Sequence, residues 1–427
     1  MDLNEETAYQ IGRGFVQYTG AGRIVVGQDV RLSSLALFES LTKGITDQGA
    51  DVYDIGEVPT ECLYFAVGFY EYEAGIMITA SHNPKEYNGF KMLQKKDSSF
   101  NVIRGKDVFE IVSEGDFSEE EEKGKIKSKD IWQDYLNHSL SFANTGKIRP
   151  FKVVIDAGNG MAGKVIPQIE NKLPVKIIPL NFELDGNFPA HSPNPLMEES
   201  KHQISQAVKS EKADFGFIFD GDADRIFLVD EKGEFISADI TLLVLARHFL
   251  DKNPGSAVAY NAICSKAVPE FIRKWGGRPI RTKVGFVNVR EGMLKNNGII
   301  GGELSGHYCF KDNFSLDSGL IAFLVLLQAI SKSNKKVSDL IAGFSPYTKS
   351  SEINFEVENK EAILEKIKKK YSDGEQDYLD GVTVEYDNWW FNVRSSQTEP
   401  VLRLTIEAQE GGLLEEKKKE LEKVIKP

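Results

Sequence analysis

Cysteine is scarce in this sequence of 427 residues, which contains only Cys62, Cys264 and Cys309. The three cysteines lie far apart, their number is odd, and none belongs to a Cys-x-x-Cys pair. This pattern does not fit a disulfide framework or a zinc site. It indicates reduced thiols, as in a cytosolic protein.

Long apolar runs are also absent. Residues 1–20 hold no apolar stretch of the length that a signal peptide needs. The longest runs, Leu242–Leu245 and Leu320–Leu327, are too short to cross a bilayer. We therefore expect a soluble, cytoplasmic protein without membrane contacts.

The sequence has no excess of positive charge, since it contains 52 Lys and Arg residues and 64 Asp and Glu residues, which gives a net charge of -12. Proteins that bind nucleic acids usually carry a basic stripe, so no nucleic-acid partner is expected. A local pocket for a small phosphate remains compatible with this composition. The length predicts two to four domains at roughly 100–200 residues each.

Three stretches repeat one order of signals: an apolar strand, a glycine-rich or polar turn, and a helical pattern. They begin at Arg23–Gly27, Phe151–Ile155 and Ala257–Tyr260. Such alternation is typical of α/β domains with largely parallel sheets. From about residue 345, alternating strands such as Leu402–Ile406 indicate an α+β layer instead. The polar stretch 113–129 is predicted to be a loop or a surface excursion.

A serine stands on a turn that follows an apolar strand. Ser81 comes after Gly75–Thr79, and Asn83 with Pro84 favours a turn directly behind it. Because α/β sheets place ligands at strand ends, its hydroxyl is a candidate phosphate carrier. An ordinary serine turn is the alternative. The neighbouring His82 could act as a general base, although a lone loop histidine is more often structural.

Three carboxylates, Asp220, Asp222 and Asp224, follow the strand-like run Phe215–Phe219. Buried carboxylates repel one another unless a cation or an arginine, here Arg225, compensates them. A catalytic Mg²⁺ site is favoured, because Mg²⁺ prefers oxygen ligands. A solvated acidic turn is one alternative.

A calcium-binding EF-hand loop is the other alternative for this run. Together with Glu231, the aspartates fit loop positions 1, 3, 5 and 12. However, Arg225 occupies position 6, where the loop requires glycine, and the preceding segment resembles a strand.

Two later loops offer groups for a sugar and for a phosphate. Glu303 and Ser305 alternate in Gly301–His307 and could contact vicinal hydroxyls from one side. The loop Arg394–Pro400 combines a guanidinium with hydroxyls and an amide, which suit a phosphate dianion. A plain turn and an ordinary polar loop are the respective alternatives.

In this order, the four runs resemble those of the α-D-phosphohexomutase family, and its phosphomannomutase/phosphoglucomutase branch in particular. The resemblance extends from about Asn4 to the C-terminal helix. Leu304 favours this branch, because glucosamine-type mutases usually carry a polar residue there, and Trp389–Arg394 is also similar to the branch.

The resemblance implies three related α/β domains with mixed, largely parallel sheets and a smaller C-terminal α+β domain around a central cleft. The predicted bounds are residues 1–145, 146–248, 249–344 and 345–427.

The resemblance also implies the roles of the site residues. Ser81 would carry phosphate and contribute to the metal site through it. The remaining residues group as follows: metal ligands Asp220, Asp222 and Asp224; Arg225 beside the metal; His82 and Lys91 in proton transfer or positioning; Glu303, Ser305 and His307 on the sugar; Arg394, Ser396, Gln397 and Thr398 on the distal phosphate.

The implied reaction interconverts the 1- and 6-phosphates of mannose, glucose or both, through a phosphoserine and a 1,6-bisphosphate sugar. Mg²⁺ is the implied cofactor and a hexose 1,6-bisphosphate the activator. The expected partners are small hexose phosphates, and the expected state is a monomer or weak dimer.

Four departures from the family pattern support a second hypothesis, a sugar-phosphate-binding protein with little or no turnover. The family's usual segment before the position of Leu3 is absent. Ile263 stands where a basic residue is usual, Phe286 where a histidine is usual, and Gln397 where an asparagine is usual.

Overall fold

Consecutive apolar residues form the central strands, as the sequence predicts. The computed structural model describes residues 3–96, 99–117, 120–396 and 400–426. Ile24, Val25 and Val26 in the first strand are fully buried, and so are Ile76, Met77 and Ile78 in a neighbouring strand. Strands that are covered on both faces are apolar at successive positions, since both sides of the sheet need apolar side chains.

The first domain-sized stretch forms one sheet with flanking helices. Its elements are α1 (Glu5–Thr19), β1 (Arg23–Gln28), α2 (Ser34–Asp47), β2 (Asp51–Glu57), α3 (Thr60–Phe69), β3 (Ala74–Ile78), β4 (Phe90–Lys96), β5 (Ser99–Ile103), α4 (Gly105–Glu114), β6 (Ile126–Ser128) and α5 (Trp132–Leu140). The strand order is β5-β4-β3-β1-β2-β6. β1 runs parallel to β2 and β3, whereas β4 is antiparallel to β3.

For residues 113–129, predicted to be a loop or a surface excursion, the loop alternative is wrong at both ends of the stretch. The first residues belong to α4, and β6 pairs in parallel with Val52–Asp54 of β2. All three residues of β6 are exposed, so the strand is held by main-chain pairing and shows no apolar pattern in the sequence.

The second sheet carries the aspartate run in one of its turns. The elements here are β7 (Lys152–Asp156), α6 (Ala162–Ile169), β8 (Lys176–Leu180), α7 (Glu198–Glu211), β9 (Phe215–Phe219), β10 (Ile226–Val229) and β11 (Phe235–Ile236). The strand order is β11-β10-β9-β7-β8. β7 is parallel to β8 and β9, while β9 and β10 form an antiparallel hairpin.

The third stretch repeats the parallel arrangement. Its elements are α8 (Ala238–Leu250), β12 (Ala257–Asn261), α9 (Ala267–Lys274), β13 (Arg278–Thr282), α10 (Phe286–Asn296), β14 (Gly298–Gly302), β15 (Tyr308–Phe310), β16 (Leu316–Asp317), α11 (Gly319–Ser333) and α12 (Val337–Ala342). β12 pairs in parallel with β13 and β14, and β15 pairs antiparallel with β16.

The last stretch is an antiparallel sheet with two helices, α13 and α14. Its elements are β17 (Thr348–Lys349), β18 (Ile353–Glu356), α13 (Lys360–Lys370), β19 (Glu375–Asp377), β20 (Val382–Glu385), β21 (Trp389–Ser395), β22 (Val401–Ala408) and α14 (Gly411–Ile425). Apolar residues of these strands and helices, including Phe391 and Leu421, share one core. The predicted fold class, α/β domains followed by an α+β domain, is confirmed.

The chain divides into two compact units. The first comprises Met1–Ile236 with His307–Val337, and the second comprises Ser237–Gly306 with Ser338–Pro427. The apolar runs Leu242–Leu245 and Leu320–Leu327 lie buried in α8 and α11. Among the described residues, no helix is long and apolar enough to span a membrane. The three cysteines are buried free thiols.

Candidate active site

Ser81 lies in the first unit, just beyond the carboxyl end of β3. Its φ of 52° places a non-glycine residue in the left-handed region, which is uncommon. The backbone N–H of Ser81 donates to Thr79 Oγ1 at 2.8 Å, and its Oγ donates to Asp220 Oδ2 at 2.8 Å. The turn therefore directs the hydroxyl at the first carboxylate of the aspartate run.

The aspartates Asp220, Asp222 and Asp224 occupy the turn between β9 and β10. Each is at most 1% exposed, and one oxygen from each lies within 4.8 Å of the other two. Lys91 Nζ lies 2.7 Å from Asp222 Oδ2 and 2.5 Å from Asp224 Oδ2. Arg225 Nε lies 3.6 Å from Asp220 Oδ2. The predicted phosphate carrier, metal ligands and basic residues therefore lie together.

Burial and mutual repulsion set the ionisation of this cluster. Burial raises the pKa of Asp220, and the charges of Asp222 and Asp224 raise it further. Burial also raises the pKa of Asp222, but the Lys91 ammonium outweighs it and the pKa is lowered. For Lys91, burial lowers the pKa, whereas the aspartate charges outweigh this and raise it well above its usual value. The cluster thus keeps Asp222 and Lys91 as an ion pair.

The oxygens of this cluster fit a divalent cation. Asp222 Oδ1 and Asp224 Oδ1 are buried and accept no hydrogen bond from any residue that the structure describes. Carboxylate oxygens are the ligands that Mg²⁺ and Ca²⁺ prefer. The run joins two antiparallel strands, which is not the helix–loop–helix arrangement of an EF-hand.

His82 follows the candidate phosphate carrier and is partly buried. Its Nδ1 lies 3.4 Å from Ser81 Oγ. Burial, followed by the charge of Arg225, lowers the pKa of His82 to about 3. The imidazole is therefore neutral near pH 7, and the lowered pKa makes it a weaker base than an ordinary histidine.

His307 belongs to the first unit and contacts Arg225. Arg225 Nε donates to His307 Nε2 at 2.9 Å, and His307 Nδ1 lies 2.5 Å from Asp317 Oδ2. Burial and the Arg225 charge lower the pKa of His307, but the charges of Asp224 and Asp317 outweigh them and raise it. The arrangement fixes the direction of the Arg225 guanidinium beside the aspartates. Sequence reasoning missed Asp317, which lies in the two-residue strand β16.

Two threonines and a further carboxylate also support the site, and sequence reasoning did not find them. Thr60 Oγ1 donates to Asp222 Oδ2 at 2.5 Å. Thr79 Oγ1 lies 2.8 Å from Asp29 Oδ2 and 3.2 Å from Asp222 Oδ2. Thr79 ends the predicted strand Gly75–Thr79, but nothing in the local sequence connects it to Asp29, 50 residues away.

Glu303 and Ser305 lie in the second unit and share a hydrogen bond. Ser305 Oγ donates to Glu303 Oε1 at 2.5 Å. Glu303 Oε2 accepts from the Gly285 N–H at 3.1 Å and from Asn261 Nδ2 at 3.4 Å. The expectation that both side chains face one side agrees with this contact. Phe286 begins α10 directly after Gly285.

Arg394 lies in the second unit, near the end of β21, and is 5% exposed. Its Nη2 donates to Glu352 Oε2 at 2.6 Å, and Arg403 Nη1 lies 3.2 Å from Glu352 Oε1. The Ser396 N–H donates to the Val401 carbonyl at 3.0 Å. The predicted phosphate ligands Gln397 and Thr398 lie outside the described residues.

Four family models match the chain in succession. They describe phosphoglucomutase/phosphomannomutase α/β/α domain I over residues 1–119, domain II over 132–233, domain III over 237–347, and the C-terminal domain over 352–424. The chain belongs to the phosphoglucomutase/phosphomannomutase family. The predicted family, and with it the expectation of an enzyme of the mutase type, is confirmed.

Individual relatives agree with this family over nearly their whole length. A phosphomannomutase of Vibrio cholerae is 37% identical over 100% of this chain and 95% of the relative. A protein of Xanthomonas campestris named phosphohexose mutases is 35% identical over 100% of this chain and 96% of the relative. The crystal structure of a family member from Burkholderia thailandensis superposes with a TM-score of 0.88 at 31% identity, covering 100% of this chain and 94% of the other.

Proposed function

We propose that this family member interconverts hexose 1-phosphate and hexose 6-phosphate, with mannose, glucose or both as the sugar. The observation that carries the proposal is the hydrogen bond from Ser81 Oγ to Asp220 inside a cluster of three buried carboxylates. A hydroxyl aimed at a candidate metal site is suited to carrying a phosphoryl group. In a solvated acidic turn the three carboxylates would be exposed, whereas each of these is at most 1% exposed.

Ser81 is the phosphate carrier in this proposal. Its phosphoryl group passes to the free hydroxyl of the sugar phosphate, so that the bond from phosphorus to Ser81 Oγ breaks as the bond to the sugar oxygen forms. The product is a 1,6-bisphosphate sugar, whose other phosphate then returns to Ser81. Catalysis of this kind depends mainly on positioning and on charge neutralisation.

Asp220, Asp222 and Asp224 are the proposed Mg²⁺ ligands. When bound, Mg²⁺ would act as a Lewis acid that offsets negative charge on the transferring phosphoryl group. Arg225, which is oriented by His307, places a second positive charge next to Asp220.

Two residues are proposed to handle the proton of the attacking hydroxyl or to position the transferred group. His82 is neutral near pH 7, and its Nδ1 lies 3.4 Å from Ser81 Oγ, so its position supports this role. Lys91 contacts Asp222 and Asp224, so its ammonium lies at the candidate metal site.

The remaining predicted residues are proposed as substrate ligands. Glu303 and Ser305 would contact vicinal hydroxyls of the sugar, and Arg394 with Ser396, Gln397 and Thr398 would hold the phosphate that does not react. His307 is also proposed as a substrate-binding residue. It contacts Arg225, which lies beside the aspartates.

Several finer assignments belong to the same proposal. They are a cytoplasmic location, activation by a hexose 1,6-bisphosphate, a monomer or weak dimer, and the four domain bounds predicted from the sequence. The match to domain models in the same order supports a four-domain division.

A second candidate is a sugar-phosphate-binding protein with little or no turnover. Ile263 is apolar and 4% exposed, so this position supplies no charge for a phosphate. Phe286 cannot exchange a proton. Only the mutase requires a phosphorylated Ser81, so phosphorylation distinguishes the two candidates.

A coupled assay tests the proposal. Mannose 1-phosphate and glucose 1-phosphate are offered separately with Mg²⁺ and catalytic glucose 1,6-bisphosphate, and the 6-phosphates are measured. We expect turnover that requires both Mg²⁺ and the bisphosphate. Absence of turnover with both sugars would contradict the mutase, and absence of phosphate on Ser81 would then favour the binding protein.

A further inference from the structure

Arg31 is a buried arginine whose donors all converge on one loop. It follows β1, and its side chain is fully buried. Nε donates to Asp29 Oδ2 at 3.2 Å. The four remaining N–H groups donate to main-chain carbonyls: Nη1 to Pro84 at 2.8 Å and to Tyr87 at 2.9 Å, and Nη2 to Ser81 at 2.8 Å and to Asn83 at 2.7 Å. All five donors of the guanidinium are therefore used.

The four carbonyls belong to the loop that carries Ser81. Residues 79–89 connect β3 to β4 without a regular element, so few of their carbonyls have strand partners. Arg31 supplies a donor to four of them, of which the Pro84 carbonyl also accepts from the Tyr87 N–H at 3.0 Å. A buried carbonyl without a partner is costly, and the contact with the Ser81 carbonyl is buried. One of the four is the carbonyl of Ser81 itself, the residue in the left-handed conformation.

The amide side of Ser81 is tied to the same pair of charges. The Ser81 N–H donates to Thr79 Oγ1, and Thr79 Oγ1 donates to Asp29 Oδ2, the oxygen that also accepts from Arg31 Nε. Both peptide groups of Ser81 therefore lead to the Asp29–Arg31 ion pair. The Phe188 ring lies 5.1 Å from the Arg31 guanidinium carbon and closes it from another side.

We propose that Arg31 is a positioning residue for phosphoryl transfer, which holds the backbone of Ser81 so that Oγ points at Asp220. The inference rests on the proposed function, because it gives Ser81 the role of phosphate carrier. A lysine would keep the charge, but its three donors radiate from one atom and cannot reach four carbonyls in a planar fork. Arginine is thus required for its geometry.

The test compares Arg31→Lys with the wild type and with Arg23→Lys as a matched control. Arg23 is an exposed partner of Glu73 in the same sheet. In the hexose phosphate mutase assay, Arg31→Lys is expected to lower kcat about 100-fold, as a misplaced reacting group does. KM should stay close to the wild-type value, because the sugar contacts are unchanged. Hydrogen exchange should rise in residues 79–89 and stay unchanged elsewhere.

An unchanged kcat in folded Arg31→Lys would overturn the proposal. So would a loss of kcat accompanied by faster exchange throughout the unit, since that indicates a general structural role. If the wild type shows no mutase activity, the proposed function fails by itself. Unchanged exchange in residues 79–89 of Arg31→Lys would then overturn the anchoring role, and a local rise would support it.

A second variant covers failure of Arg31→Lys to fold. Asp29→Asn removes the charge that pairs with the Arg31 Nε and orients the guanidinium, while Arg31 itself is kept. A several-fold loss of kcat, together with faster hydrogen exchange confined to residues 79–89, supports the positioning role. Wild-type kcat and wild-type exchange in this variant would overturn it.

Discussion

Glu61 should make the stability of the protein depend on pH, and replacing it by glutamine should remove that dependence. Glu61 lies in the first turn of α3 and is 2% exposed. The Tyr135 hydroxyl donates to its Oε1 at 2.5 Å. Burial raises the pKa of Glu61 to about 8, and the charges of Asp317 and Asp224 act in the same direction.

The pKa values of Glu61 in the folded and unfolded chain set the direction and the size of its contribution to stability. The folded protein binds the Glu61 proton more tightly than the unfolded chain, whose glutamate titrates near 4.5. The stabilising contribution is therefore complete below pH 4.5 and is lost as the pH rises through about 8. At about 1.4 kcal/mol per pH unit, the interval corresponds to roughly 5 kcal/mol.

Denaturant unfolding of the wild type and Glu61→Gln at a series of pH values measures this contribution. Glutamine resembles the protonated side chain and can still accept from Tyr135. As the pH rises from acidic to alkaline, the free energy of unfolding of the wild type should fall by roughly 5 kcal/mol more than that of the variant. Glu110→Gln, an exposed glutamate on α4, is the control and should follow the wild type. A Glu61→Gln difference that stays constant with pH would refute the reasoning.

Three further predictions concern the metal site, the turn and a buried histidine. Asp222→Asn should abolish Mg²⁺-dependent turnover, because it removes a proposed Mg²⁺ ligand; an unchanged Mg²⁺ titration of activity would disprove the place of Asp222 in the metal site. Gly221→Ala should lower kcat at least about tenfold, since its Cβ would lie 2.7 Å from the Ser81 carbonyl oxygen; wild-type kcat would show that the turn adapts. Burial lowers the pKa of His191, but the hydrogen bond and charge of Asp156 outweigh it and the pKa is raised. His191→Gln should therefore destabilise the protein most below the ordinary histidine pKa of 6.5, and less as the pH rises through the raised pKa; a difference in melting temperature that does not vary with pH would contradict this.

The sequence predicted the features that depend on local pattern. Phe215–Phe219 is a buried strand, and the aspartates follow at its end. Ser81 likewise follows a buried strand, β3, whose apolar run is visible in the sequence. Parallel strands such as β3 and β1 place their carboxyl ends at one edge, so residues at these ends can be anticipated together.

The partners of these residues could not be predicted, because tertiary packing selects them. Tyr135 reaches Glu61 across 74 residues, and Arg31 reaches the Ser81 loop across about 50. Asp317 lies in a strand too short to show a period. The lowered pKa of His82 could not be predicted either, since burial does not follow from the loop sequence alone.

Phosphate on Ser81 tests the central claim most directly. The wild type and Ser81→Ala are incubated with Mg²⁺ and glucose 1,6-bisphosphate, and their intact masses are compared. The wild type should gain one phosphoryl group and Ser81→Ala none, with turnover lost in the variant and its stability little changed, because the side chain of this turn contributes little to a core. Equal phosphate uptake or retained mutase activity in Ser81→Ala would contradict the phosphoserine mechanism.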